Sequence, residues 1–179
     1  IIAFSLTVTK SMSSIDKNLV LIGMPGSGKS TIGVILAKKT SRDFVDTDVV
    51  IQSHEHRSLQ DIVDNDGYMK LREIEEKWVM SLEAENSVIA TGGSVVYSDA
   101  SMKHLAENGI IIFLDVQLDT LKKRITDYDQ RGIARRPEQS FEDLFAERSA
   151  LYNKYAHITI QSDALLQESV FQAIIDQLA

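Results

Sequence analysis

The 179-residue sequence predicts an α/β fold: a parallel sheet with helices packed on both faces. Three observations carry that expectation. Short apolar runs alternate along the chain with longer segments whose apolar residues recur three or four positions apart. Strands separated by helices pair in parallel through right-handed crossovers, which places helices on both sides of the sheet. The first apolar run also leads straight into 23-GMPGSGKS-30, with three glycines and a proline, poor material for either a helix or a strand.

In chain order, the runs that read as buried strands are 19-LVLIG-23, 44-FVD-46, 88-VIA-90, 110-IIIFL-114 and 157-HITI-160. Helical periodicity marks 30-STIGVILAKK-39 and 69-MKLREIEEKWVMSLEAE-85. The regular apolar spacing of 163-DALLQESVFQAIIDQLA-179 predicts a closing amphipathic helix. One stretch, 126-TDYDQRGIARRPEQS-140, is polar, charged and broken by Gly132 and Pro137, and reads as a mobile excursion. Residues 1–16 read as an appendage, with Met12 a candidate natural start, and 17–179 as one domain.

Composition narrows the function. The chain is 44% hydrophobic and 25% charged, enough to bury a sizeable core without covalent staples. It has no cysteine, which excludes disulfides, thiolate nucleophiles and cysteine-ligated metals. A net charge of −7 argues against nucleic-acid binding, which needs a basic footprint. The short apolar start is too brief to span a bilayer, and no other segment reads as membrane-spanning, so the expectation is a cytoplasmic monomer.

Gly23-x-x-x-x-Gly28-Lys29-Ser30 satisfies the phosphate-loop pattern, with Thr31 opening the helical run behind it. Glycines such as Gly26 and Gly28 let the backbone N–H groups around Ser27 turn into one concavity, where they meet phosphates and the positive end of the following helix. Lys29 would reach the β and γ phosphates of ATP, and the Ser30 hydroxyl would meet Mg2+. At the end of the second strand, Asp46 and Asp48 share a face because strand side chains repeat with period two. One can serve the metal shell while the other meets an acceptor hydroxyl. Arg72 and Glu75 stand three apart on a helix, where a solvated pair is the plain expectation. The paired glycines of 90-ATGGS-94 would let backbone approach a ligand. Arg131, Arg135 and Arg136 crowd the excursion, where a closing lid would need them, and Arg148 follows in the next helix.

Taken in order, 23-GMPGSGKST-31, 46-DTD-48, Arg72 with Glu75, 90-ATGG-93, Arg136-Pro137 and 147-ERSALY-152 give a chain that resembles the shikimate kinase family from about Leu19 to Ile160. The resemblance implies a phosphate-loop NTPase-type, three-layer α/β/α fold with a five-stranded parallel sheet in order 2-3-1-4-5 and a lid at 126–140. It implies ATP-dependent, magnesium-dependent phosphorylation of shikimate. Residue by residue, it implies Asp48 as base and acceptor contact and Asp46 with Ser30 near the metal. It implies Arg72 and Arg148 as the grip on the acceptor carboxylate, and Gly92 and Gly93 as the acceptor-side turn. It implies Arg136 as the lid arginine and Arg124 as the arginine packed on adenine.

Three positions depart from the family pattern. Ser94 replaces a third glycine, where its side chain would bond the acceptor or crowd it. Glu138 and Gln139 follow Pro137 in place of apolar residues, and Leu71 precedes Arg72 in place of phenylalanine. A kinase for another small hydroxylated carboxylic acid, or a silent nucleotide-binding module, would also fit these residues. The 54-HEH-56 triplet reads as a solvated helix surface, not a metal site, and Trp78 as packing.

Overall fold

The computed structural model describes residues 17–125, 132–163 and 166–178. The expected appendage 1–16 and residues 126–131 of the expected lid, Arg131 among them, lie outside the described residues.

Strands β1 (Asn18–Ile22), β2 (Asp43–Asp46), β3 (Ser87–Ala90), β4 (Gly109–Asp115) and β5 (Ile158–Gln161) form one sheet in the order β2-β3-β1-β4-β5. Every pairing is parallel, with Leu19 opposite Val88 on one side of β1 and Ile110 on the other. Helices α1 (Lys29–Thr40), α5 (Asp99–Glu107), α6 (Leu118–Arg124), α7 (Phe141–Tyr155) and α8 (Gln167–Leu178) cover its two faces. Helices α2 (Thr47–Glu55), α3 (Leu59–Asp66) and α4 (Tyr68–Met80) run consecutively between β2 and β3.

Alternation along β1 sorts the core. Leu19 and Leu21 join Ile32 and Leu36 of α1 and Val170 and Ile174 of α8. Val20 and Ile22 face the other way, toward Met102, Leu121 and Tyr152. Both faces of β1 are therefore buried, which is why it reads as an unbroken apolar run. A third cluster, Ile51, Ile62, Leu71 and Ile74 with Ala134, holds α2, α3 and α4 together.

Some boundaries differ from the sequence reading. The helix expected to reach residue 85 ends at Met80, because the Ser81 N–H turns back to the carbonyls of Trp78 and Val79. The Asn18 amide then takes the Ala84 carbonyl at 2.6 Å. β5 begins after His157, whose ring Nδ1 takes the Ile111 N–H at 3.0 Å. His54 is exposed as expected but stacks on Trp78 at 4.0 Å, and Trp78 Nε1 donates to Glu55. Among the described residues no helix is long and apolar enough to cross a membrane.

Because β1 lies between β3 and β4, the connections leaving the carboxyl ends of the strands diverge there, the usual place for a ligand crevice in such sheets. The segments leaving β1, β2 and β3 carry Gly23–Ser30, Asp46–Asp48 and Thr91–Ser94 to that edge.

Candidate active site

The glycine-rich loop places its backbone before it places any side chain. Gly26 and Gly28 hold φ of 81° and 96°, a left-handed region that L side chains rarely adopt. At Gly26 a Cβ would also meet Ile125 Cγ1 at 2.8 Å. The first turn of α1 receives no side-chain cap. By contrast Asp46, Ser58, Ser98 and Ser140 cap α2, α3, α5 and α7. The opening N–H groups of α1 therefore face the cleft unscreened, with no acidic residue in that turn, the arrangement that favours an anion.

A cleft of about 500 Å3 opens above this loop. Lys29 lies in its wall, buried, its Nζ donating to the carbonyls of Gly23 at 2.8 Å and Met24 at 3.0 Å. Burial lowers its pKa to about 8, opposed by the nearby Asp48 carboxylate. Ser30 donates its hydroxyl to Asp46 Oδ2 at 2.6 Å. The other Asp46 oxygen accepts from the Asp48 and Val49 N–H groups, which starts α2 and fixes where Asp48 stands. Burial, and then the charge of Asp46, push the Asp48 pKa up to about 6, against the pull of Lys29.

The floor is built around Gly92, whose N–H donates to Thr47 Oγ1 at 2.9 Å. A Cβ there would lie 2.2 Å from Glu75 Oε1 and 2.8 Å from Asp48 Oδ1, so only glycine lets both carboxylates close on this point. Glu75 is 3% exposed, and burial raises its pKa to about 7, opposed by a hydrogen bond from Ser94. Beside it Arg148, 1% exposed, donates Nη2 to the Ala134 carbonyl at 2.8 Å. Arg72 Nη2 reaches the same carbonyl at 3.2 Å while its guanidinium lies 3.5 Å from the centre of the Tyr97 ring. Neither arginine's Nε–H has a hydrogen-bond partner among the described residues. Tyr152, whose pKa burial raises, donates to the Gly93 carbonyl at 2.7 Å and pins that turn.

Of the expected site residues, Gly26, Gly28, Lys29, Ser30 and Thr31 line the cleft on one side. Asp48, Gly92, Gly93 and Arg148 line it on the other, with Arg124 at the rim. Ser27 faces instead a neighbouring hollow of about 870 Å3, which Arg124 shares. Asp46 and Arg72 act one step behind the wall, through Ser30 and beside Arg148. Arg136 is exposed, paired with Glu147 at 2.9 Å, and not among the residues lining the cleft. Glu147 also accepts from Tyr97 and from Gln139, which is buried by that bond, so the unexpected polar residue after Pro137 has a partner.

Sequence reasoning named Glu75 only as a solvated partner of Arg72 and a mark of the resemblance, took Tyr152 only as the end of 147-ERSALY-152, and did not single out Tyr97. A signal for Glu75 was present: it is one turn beyond Leu71 and adjacent to Ile74, both on the buried face of α4. Ser94 lines the cleft, and its hydroxyl donates to Glu75 Oε2.

Comparisons with known proteins agree with this geometry. The family model described as shikimate kinase matches residues 25–179. A shikimate kinase of a Sulfurihydrogenibium species is 33% identical over 163 residues, covering 90% of this chain and 98% of that protein. One from Thermodesulfovibrio yellowstonii is 35% identical over 164 residues, covering 90% and 94%. Among solved structures, the shikimate kinase of Acinetobacter baumannii in complex with shikimate superposes with a TM-score of 0.81 at 27% identity, covering 90% and 92%. The phosphate loop, the paired carboxylates about Gly92 and the family match lead to one conclusion: this chain belongs to the shikimate kinase family.

Proposed function

We propose that this chain transfers the γ-phosphoryl group of ATP to a ring hydroxyl of shikimate, giving shikimate 3-phosphate. The observation that carries this reading is the convergence of Lys29, Asp48 and Arg148 on one cleft in a chain of this family, with a relative solved in complex with shikimate.

The roles follow from position. The uncapped start of α1 and the loop N–H groups receive the β and γ phosphates, and Lys29 exchanges its two carbonyl bonds for phosphate oxygens. Ser30, with Asp46 behind it, offers hard oxygen ligands suited to Mg2+. When bound, that ion supplies charge neutralisation at the β and γ phosphate oxygens.

On the acceptor side, Arg148 and Arg72 present guanidinium edges to the shikimate carboxylate, a planar match suited to paired hydrogen bonds. Asp48 takes the proton of the attacking hydroxyl, and a pKa near 6 leaves it ionised at neutral pH yet still basic enough to serve. Phosphoryl transfer asks little more of a protein than alignment and charge stabilisation. Arg136 would leave Glu147 to meet the phosphates, and Arg124 would pack on the base.

The test is coupled ADP release from purified protein with ATP and Mg2+, with and without shikimate, beside a panel of other hydroxy acids. Strong stimulation by shikimate, lost in Asp48→Asn, supports the reading. Turnover with a different hydroxy acid and none with shikimate overturns it.

A further inference from the structure

Glu75 sits in a wall with space on both sides. One face looks onto the cleft floor beside Gly92 and Asp48. Behind the other lies a hollow of about 360 Å3 whose lining includes Arg72, Tyr97 and Ser101. Arg72 is three residues before Glu75 on α4, but its Nη2 donates to the Ala134 carbonyl, and the charges of Arg148 and then Arg72 act on the Glu75 carboxylate. Ser94, 8% exposed, donates its hydroxyl to Glu75 Oε2 at 2.5 Å. That bond leaves Oε1 against Gly92 and turned toward Asp48.

We propose that Ser94 is a positioning residue for the acceptor side, holding the Glu75 carboxylate at the cleft floor beside Asp48 and keeping it from turning onto the guanidiniums of Arg148 and Arg72. The proposal rests on the reading that this floor receives shikimate. Three consequences follow from the geometry. With the hydroxyl removed, the cations left to draw this buried carboxylate are Arg148 and then Arg72, whose charges already act on it. One of those arginines would then be engaged by the protein's own acid, in competition with the acceptor's carboxylate. The phosphate loop, on the opposite wall, would register none of this.

The experiment is steady-state kinetics with shikimate and ATP varied separately, on Ser94→Ala, Ser94→Thr, Glu75→Gln and the double variant Ser94→Ala/Glu75→Gln. Loss of a hydrogen bond to a buried charged group and the rearrangement it permits should raise the KM for shikimate about tenfold in Ser94→Ala. The KM for ATP should stay within about twofold. Ser94→Thr, which keeps the hydroxyl and has the hollow behind for its methyl group, should restore the wild-type KM for shikimate. In the Glu75→Gln background, Ser94→Ala should add less than about twofold, since the charge to be held is gone. An unchanged KM in Ser94→Ala, an equal effect in both backgrounds, or a matching rise in the KM for ATP would each overturn the proposal. The Thr comparison stands by itself if Glu75→Gln does not fold. A wild type that ignores shikimate would remove the reading of the acceptor and this proposal together. An active wild type with an indifferent Ser94→Ala removes the proposal alone.

Discussion

Gly92→Ala adds one methyl group at the point where two carboxylates meet. Gly92 does not have a positive φ, so the backbone tolerates alanine and the effect is purely one of contact. The new Cβ would lie 2.2 Å from Glu75 Oε1 and 2.8 Å from Asp48 Oδ1. Ordinary contact begins near 3.4 Å, so Glu75 must retreat by about 1.2 Å and Asp48 by about 0.6 Å. Neither can move freely: Glu75 is tied to Ser94, and Asp48 stands on the first turn of α2. Overpacking of this kind costs about 1–3 kcal/mol in stability. A misplacement of about 1 Å in a reacting group costs about 10²-fold in rate. The expected outcome is therefore a protein that still folds, binds ATP with wild-type affinity and turns over about 10²-fold more slowly. Calorimetric titration with a non-hydrolysable ATP analogue, thermal melting and coupled ADP release separate these three quantities. Near-normal turnover, or ATP affinity falling in step with rate, would refute the reasoning that Gly92 is an acceptor-side close-approach position.

Asp48→Asn should abolish turnover yet raise the melting temperature at pH 8. A carboxyl whose folded pKa is raised from 3.8 to about 6 destabilises the fold once ionised, so the variant's gain should be full above pH 6 and vanish toward pH 4. A gain that grows as pH falls would contradict this sign. In the wild type, kcat/KM should fall as pH drops through about 6, as the hydroxyl's proton acceptor becomes protonated. A flat profile between pH 5 and 7 would argue against Asp48 as that acceptor. Lys29→Met should lower turnover by about 10²–10³-fold, as loss of one transition-state donor does elsewhere, while melting stays level or rises because a buried charge is gone. A collapse of the melting temperature would instead make Lys29 structural. Glu147→Gln should release Arg136 and lower the KM for ATP by about 2–5-fold, the range a surface ion pair commands, as read from initial rates. A higher KM for ATP would mean that Glu147 assists the nucleotide.

The parts of the site legible in the sequence are those whose chemistry is local. Gly26 and Gly28 announce themselves because a backbone at positive φ admits little else, and Lys29 follows at a fixed offset on the helix they start. The strands were legible because burial on both faces of the sheet leaves apolar runs such as 110-IIIFL-114. Glu75 was not legible as part of the floor, since the spacing that puts it beside Arg72 predicts a solvated pair. Burial against Gly92 comes only from the packing of α4 over the β3 loop. The direction of Ser94 was equally hidden, because its partner is 19 residues away on another element. Arg136 illustrates the reverse: its type and position were plain, but its partner here depends on where α7 carries Glu147.

The shared grip of two arginines on the Ala134 carbonyl has a thermodynamic consequence. A free arginine side chain carries about 2 kcal/mol of rotamer entropy, and ordering such chains on binding commonly costs about 0.5–1.5 kcal/mol each. Arg148 is already fixed by burial and by that carbonyl, and Arg72 by the carbonyl and the face of Tyr97. If these arginines hold the acceptor carboxylate as proposed, folding has absorbed most of the disorder that binding would otherwise remove from them. A small, rigid anion arriving there exchanges one oxygen partner for another instead of recruiting loose side chains, so its affinity depends on complementarity more than on the number of contacts it makes.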